Sequence, residues 1–295
     1  MMDNLYFEVK NLDCAYHNNR VVLKIQELLI PRGEMVFIVG QSGCGKSTIL
    51  ETLGLMNNTM RINNDTEFNF YTPEGNTINY PSLWAKKDNN DILSEIRRNY
   101  FSFIFQQTNL MRNFNIYENI AITKMLQDAS ETECKRVTNE ILKEVALDEF
   151  VVMKDGGWSP ESKVFGKANE ASGGQQQRMA FARAMVAAYS ILFCDEPTGN
   201  LDPDTADMLM NYLREELNKQ GDSTAIIVSH DMTLATKYGD RIIKIFKKQR
   251  DGGRDDYYGY ITKDSVFTRN NSQWTYQGES MPSEDVINKL KKWDK

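Results

Sequence analysis

The nine residues Gly40-Gln41-Ser42-Gly43-Cys44-Gly45-Lys46-Ser47-Thr48 constrain this chain more than any other stretch. They follow the apolar run over residues 35–39 and satisfy G-x-x-x-x-G-K-[ST], with Gly40, Gly45, Lys46 and Ser47 in the fixed places. Glycines there let backbone N–H groups turn toward a polyphosphate with no Cβ in the way. Lys46 supplies a point charge toward the terminal phosphates, and the Ser47 hydroxyl suits a Mg²⁺ ion. The motif requires a strand before it and a helix after it, and residues 46–55 read as that helix. The loop predicts a bound nucleoside triphosphate.

Bulk properties narrow what such a chain does with it. At 295 residues there is material for one large domain or two modest ones. Forty-one acidic against 35 basic residues leave a net charge of −6, which argues against nucleic acid as the main partner. No apolar run approaches the roughly 20 residues that span a bilayer, and the first residues lack the basic and apolar blocks of a signal peptide. Cys14, Cys44, Cys134 and Cys194 show no C-x-x-C spacing and no nearby histidine cluster. A reduced, cytosolic, globular protein without a disulfide framework is expected.

Along the chain, residues 5–9 and 21–30 read as strands. Residues 57–65 are a polar break, and residues 66–98 suggest an antiparallel insert with a turn at Pro73-Glu74-Gly75. Residues 101–105 read as a buried strand ending at Gln106. The period then changes to 3.6, with a capping box at Ser130–Glu133 and a stripe of Cys134, Val137, Ile141 and Val145 that is ordinary core packing. Later β/α units place strands over 191–194, 224–229 and 241–246. A helix over 203–220 has Asp202 as its cap, Pro203 at its first position and Gly221 at its stop. Strands alternating with helices imply a mostly parallel sheet with ligands at its carboxyl ends. Residues 251–256 break the pattern like a linker. Beyond them, residues 265–268 and 273–276 suggest a hairpin, and Ser283 a cap for a helix reaching Asp294. The aromatics Tyr257, Tyr258, Tyr260, Phe267, Trp274 and Tyr276 point to an ordered tail.

Two acids stand out on physical grounds. Asp195 follows four apolar residues, so its carboxylate emerges at a strand end, the place for an acid that holds the Mg²⁺ shell. Glu196, one residue on, points elsewhere and suits polarising a water. Ser172-Gly173-Gly174 opens a helix over 175–188; read alone it also fits a linker, but the amphipathic helix behind it argues for an anion site.

Together, the phosphate loop, Ala171-Ser172-Gly173-Gly174-Gln175 and residues 191–202 (ILFCDEPTGNLD) resemble the ATPases of ABC transporters over residues 5–248. The run Glu196–Asp202 is similar to the subgroup serving lipoprotein-release, macrolide-efflux-type and cell-division permeases. The resemblance implies an α/β P-loop cassette with an antiparallel β subdomain and an inserted helical subdomain over about 107–172. Residues 1–249 would form the nucleotide-binding domain and residues 250–295 an appendage of unassigned role. It implies ATP and Mg²⁺ as cofactors, with Ser47, Gln106 and Asp195 around the metal. It makes Glu196 the catalytic glutamate that polarises the attacking water, His230 the γ-phosphate switch, and Gln106 the link from metal and water to the membrane partner. Tyr16 becomes the aromatic that stacks on adenine, with His17 beside it a surface residue. Ser172, Gly173, Gly174 and Gln175 would close over ATP held by a second copy, with Asp202 facing the dimer. Ala171 stands where the family usually has Leu, a departure that weakens packing but not phosphate binding.

The resemblance further implies a head-to-tail homodimer on the cytoplasmic face of a membrane. It would power a separate integral permease docked near Gln106 and residues 108–117, with exposed-looking Leu110 and Phe114. A cell-division-type ATPase whose membrane partner signals without transporting carries the same motifs. A soluble DNA-repair or translation ATPase would need a coiled-coil insertion or a second cassette, and this chain has neither.

Overall fold

The computed structural model describes residues 4–16, 20–147, 153–154, 157–158, 167–250 and 256–292. Two compact units emerge, Met1–Arg97 with Leu217–Lys295, and Arg98–Glu216.

In the first unit, β1 (Leu5–Ala15) and β2 (Val21–Pro31) pair antiparallel, burying Phe7 and Val9 and then, after a shift of phase at Asn11, Leu12 and Cys14. β3 (Met35–Gly40) is buried along its whole length, as befits a strand covered on both faces. It leads into α1 (Lys46–Leu53). β4 (Met60–Arg61) and the hairpin of β5 (Glu67–Tyr71) with β6 (Thr77–Asn79) extend the antiparallel part beside β1. The expected insert is therefore present, but its second half is helical. The Asn79 side chain accepts from the Ser82 amide and starts α2 (Tyr80–Trp84). Leu93 and Ile96, three residues apart, form the buried side of α3 (Asn90–Tyr100).

The second unit opens with β7 (Phe101–Ile104), then α4 (Ile116–Met125) and α5 (Glu131–Glu144). Ser130 caps α5, but Glu133 does not complete the expected capping box. Its carboxylate takes two hydrogen bonds from Arg136, one helical turn on. A short pair, β8 (Met153–Lys154) and β9 (Gly157–Trp158), precedes α6 (Gly173–Met185), which starts two residues earlier than its sequence signals. β10 (Ile191–Asp195) runs parallel to β7, with Cys194 opposite Ile104. α7 (Pro203–Gln220) has the bounds its caps predict, the Thr205 amide donating to Asp202 and Gly221 at φ +73 closing it.

Back in the first unit, β11 (Thr224–Ser229), α8 (Met232–Tyr238) and β12 (Arg241–Gln249) follow. Both strands run parallel to β3, one on each side. β13 (Tyr257–Ile261) then slots between β2 and β12, giving the order β6-β5-β1-β2-β13-β12-β3-β11. β14 (Val266–Asn270) and β15 (Gln273–Tyr276) form the expected hairpin, and β16 (Glu279–Met281) adds a third strand. The last helix, α9 (Ser283–Lys291), has Pro282 rather than Ser283 at its cap position. Its expected end at Asp294, the linker at residues 251–255 and His17 lie outside the described residues.

Candidate functional site

The site residues fall in both units. In the first, the loop between β3 and α1 leaves the carboxyl end of the parallel strands. Gly40 lies opposite Ile245 of β12, and Val39 opposite Ser229, the last residue of β11. His230 follows Ser229 directly, so topology brings it to the same strand ends as the loop. His230 is exposed there, and Asp231 behind it caps α8 by accepting from the amides of Thr233 and Leu234.

Glycine is required inside the loop. Gly45 holds φ +98, where a side chain is strained, and it stands as the α1 cap with no side chain to satisfy the first N–H groups. A Cβ on Gly40 would come within 2.4 Å of Cys44 Sγ. The Cys44 side chain is thus a buried strut under the loop rather than a ligand, and burial pushes its thiol pKa up. Gln41 is half-buried, while Ser42, Gly43 and Ser47 are exposed. Lys46 Nζ donates to the carbonyls of Gly40 and Gln41 at 2.9 and 3.3 Å, spanning the loop's mouth. A loop with uncapped N–H groups, an ammonium across it and an exposed hydroxyl is built for a polyphosphate.

Tyr16 leaves the end of β1, and its hydroxyl bonds both Thr48 Oγ1 at 3.1 Å and Glu51 Oε2 at 3.0 Å on α1. Partial burial raises its pKa. The ring is 37% exposed, so an aromatic surface stands beside the loop helix.

In the second unit, Gln106 and Asp195 leave the same end of adjacent parallel strands, and Glu196 follows. Glu196 holds φ +51, a left-handed conformation uncommon for its residue type and a feature of functional turns. Gln177 of α6, fully buried, grips this turn, its Nε2 donating to Pro197 O at 2.8 Å and reaching Glu196 O at 3.5 Å. The start of α6 is closed by a reciprocal box: Ser172 Oγ accepts from the Gln175 amide, and Gln175 Oε1 accepts from the Ser172 amide. Ser172 and Gly173 are exposed and Gly174 half-buried. Asp202 is exposed, and the Thr205 amide lowers its pKa.

No group of three or more His, Cys, Asp or Glu among the described residues is arranged to hold a metal. Mg²⁺ on a polyphosphate usually takes one or two protein oxygens beside phosphate oxygens and water, and within the first unit the exposed Ser47 hydroxyl at the loop is an oxygen of that kind.

Gln177 and Asn119 escape a reading for chemistry. Asn119 is fully buried; its amide donates to the carbonyls of Met111, Phe114 and Asn115, and its Oδ1 accepts from the Met111 amide at 2.7 Å. It therefore shapes the segment after Gln106, whose Leu110 and Phe114 are half-buried rather than exposed. The readable signal for Gln177 is its place on the α6 stripe with Phe181 and Ala184, a polar group among core positions.

The ABC transporter family model matches residues 23–199, more than half of the chain. The lipoprotein-releasing system ATP-binding protein LolD of Colwellia psychrerythraea (strain 34H) is 31% identical over 228 residues, 77% of each chain. The macrolide export ATP-binding/permease protein MacB of Campylobacter fetus subsp. fetus (strain 82-40) is 36% identical over 76% of this chain, which spans 30% of that relative's length. The dimeric structure of MJ0796, a bacterial ABC transporter cassette, matches at TM-score 0.64 and 30% identity, over 81% of this chain and 93% of that one. A post-hydrolysis dimer of the same cassette, bound to ADP and Pi, matches at TM-score 0.62 and 28% identity, over 86% and 98%. With the loop, the strand-end acids and the capped α6 in place, these likenesses give the conclusion that the chain belongs to the ABC transporter family, as an ATP-binding cassette of the P-loop α/β fold.

Proposed function

We propose that this chain hydrolyses ATP with Mg²⁺ as a head-to-tail homodimer and passes the work to a separate integral membrane permease. Residues 1–249 act as the nucleotide-binding part, with a helical subdomain over about 107–172. Residues 40–48 hold the phosphates, Ser47, Gln106 and Asp195 serve the metal, and Tyr16 stacks on the base. Held by those residues, Mg²⁺ would supply positive charge to offset that of the phosphates. Glu196 accepts a proton from the attacking water. The water oxygen bonds the γ-phosphorus as the bond to the bridging oxygen of ADP breaks, and His230 donates to the γ-phosphate. Ser172, Gly173, Gly174 and Gln175 of one copy face the nucleotide of the other, as does Asp202.

The observation that carries this reading is the end of β10, where Asp195 closes a buried strand and Glu196 is held at positive φ by a buried glutamine. A groove of about 630 Å³ in the second unit supports the membrane partner. It is lined by Phe114, Tyr117, Ile122, Met125 and Cys134 together with the charged Glu118, Glu131 and Lys135, and suits an amphipathic helix. Among the described residues no helix is long and apolar enough to cross a membrane. Relatives named for lipoprotein release and macrolide export favour a releasing or exporting permease at the cytoplasmic face over a signalling one.

Glu196→Gln tests the mechanism. It keeps shape but takes no proton, so ATPase activity should fall roughly 10²–10⁴-fold while ATP still binds. With ATP and Mg²⁺ the variant should elute as a dimer, whereas Asp195→Asn should lose Mg²⁺-dependent binding and trap none. Substantial hydrolysis by Glu196→Gln would remove it from the catalytic role.

A further inference from the structure

The last stretch of the chain grips the helix that follows His230. β14 pairs with the first half of β12, and β14, β15 and β16 form a meander in which Phe267 and Trp274 are buried. α9 packs on α8 and on β15 through a side that buries Val286 and Leu290. Buried Lys244 of β12 donates to the carbonyls of Lys289 and Lys292 at 3.2 and 3.0 Å, where α9 runs out of helical partners. The module is thereby fastened to the sheet at two separate points.

α8 has seven residues, too few to persist without outside support. Asp231 holds its amino end. Its carboxyl end is held by Arg269 of β14, whose Nη1 donates to Lys237 O at 2.8 Å and reaches Gly239 O at 3.5 Å. The Arg269 amide donates to Asp240 O at 2.8 Å. Its guanidinium is fixed in turn by Nε donating to Asn271 O at 3.2 Å and by lying over the Trp274 ring at 5.8 Å. A cation at the carbonyl end of a helix satisfies orphan acceptors and complements the helix dipole.

The geometry points to Arg269 as a positioning residue for hydrolysis: through α8 it fixes the backbone from which His230 projects. This rests on the role proposed above for His230. Without the guanidinium the last turn of α8 frays. In so short a helix the fraying reaches the Asp231 cap, one residue from His230. What is lost is pre-organisation for the transition state rather than affinity for ATP.

Steady-state ATPase assays on the full chain test this with Arg269→Gln, Arg269→Lys, His230→Ala and the double variant His230→Ala/Arg269→Gln. Arg269→Gln should lower kcat about tenfold with KM for ATP within about twofold. Arg269→Lys should recover part of that, since an ammonium still reaches one carbonyl. In the His230→Ala background, Arg269→Gln should cost less than about twofold, because the two act as one unit. The same fold-loss in both backgrounds, or a change in KM alone, would overturn the proposal, as would full kcat in Arg269→Gln beside an inactive His230→Ala. Full activity of His230→Ala would overturn the switch role and this proposal together, leaving ATP hydrolysis to be judged by Glu196→Gln. If Arg269→Gln melts at the assay temperature, the same cycle run with Arg269→Lys decides.

Discussion

At the residue scale, the phosphate loop depends on a glycine that lies outside it, inside β13 and 215 positions beyond Cys44: Gly259 lies against Cys44. A Cβ there would stand 1.8 Å from Cys44 O and 2.9 Å from Ile245 Cγ2, so the loop backbone itself would have to shift. Gly259→Ala should therefore destabilise the fold by about 1–3 kcal/mol, as over-packing does, and weaken ATP binding as the loop is pushed out of shape. Denaturant melts and calorimetry with ATP read the two effects, and a variant with unchanged stability and affinity would show that the contact tolerates a methyl. Lys46, Ser47 and Asp195 were legible because their chemistry fixes residue type and spacing. Gly259 and Gln177 were not, because their importance lies in contacts with residues far along the chain.

At the scale of elements, the C-terminal meander is built on Trp274, fully buried with its indole Nε1 lacking a hydrogen-bond partner. Trp274→Ala opens a cavity and should cost about 3–5 kcal/mol. Trp274→Phe removes the unsatisfied donor along with part of the volume, so its loss should be distinctly smaller. Equal losses in urea melts would mean that the indole N–H is satisfied after all. The hairpin of β14 and β15 could be read from alternating residues around Asn270-Asn271-Ser272, and α7 from its caps. The helices α2 and α3 escape a sequence reading because each buries only two residues, Tyr80 and Leu83 in one and Leu93 and Ile96 in the other. Only a core waiting to receive them selects helix there.

At the scale of the whole molecule, burial of thiols sets a limit on alkaline stability. All four cysteines are buried, and desolvation pushes Cys14 in β1 from 9.0 to about 11. Its folded pKa lies above its unfolded one, so the stability it contributes is fully present below pH 9 and is lost as pH rises toward about 11. Urea melts between pH 8 and 11 should show stability falling with pH, and Cys14→Ala, though less stable at pH 8, should fall less steeply. Parallel slopes for the two proteins would acquit Cys14.

What the sequence determined by itself is the chemistry of the site and the order of its parts: a loop after a strand, two acids after another, a capped helix start. These are local, since a turn, a cap or a strand end is specified by residues within a few positions of one another. Tertiary structure alone decided that β13 fills the gap between β2 and β12, that Gly259 meets Cys44, and that Arg269 closes α8. Strand order and long-range caps follow from which buried surfaces match once the whole chain has collapsed, and no short window of sequence carries that information.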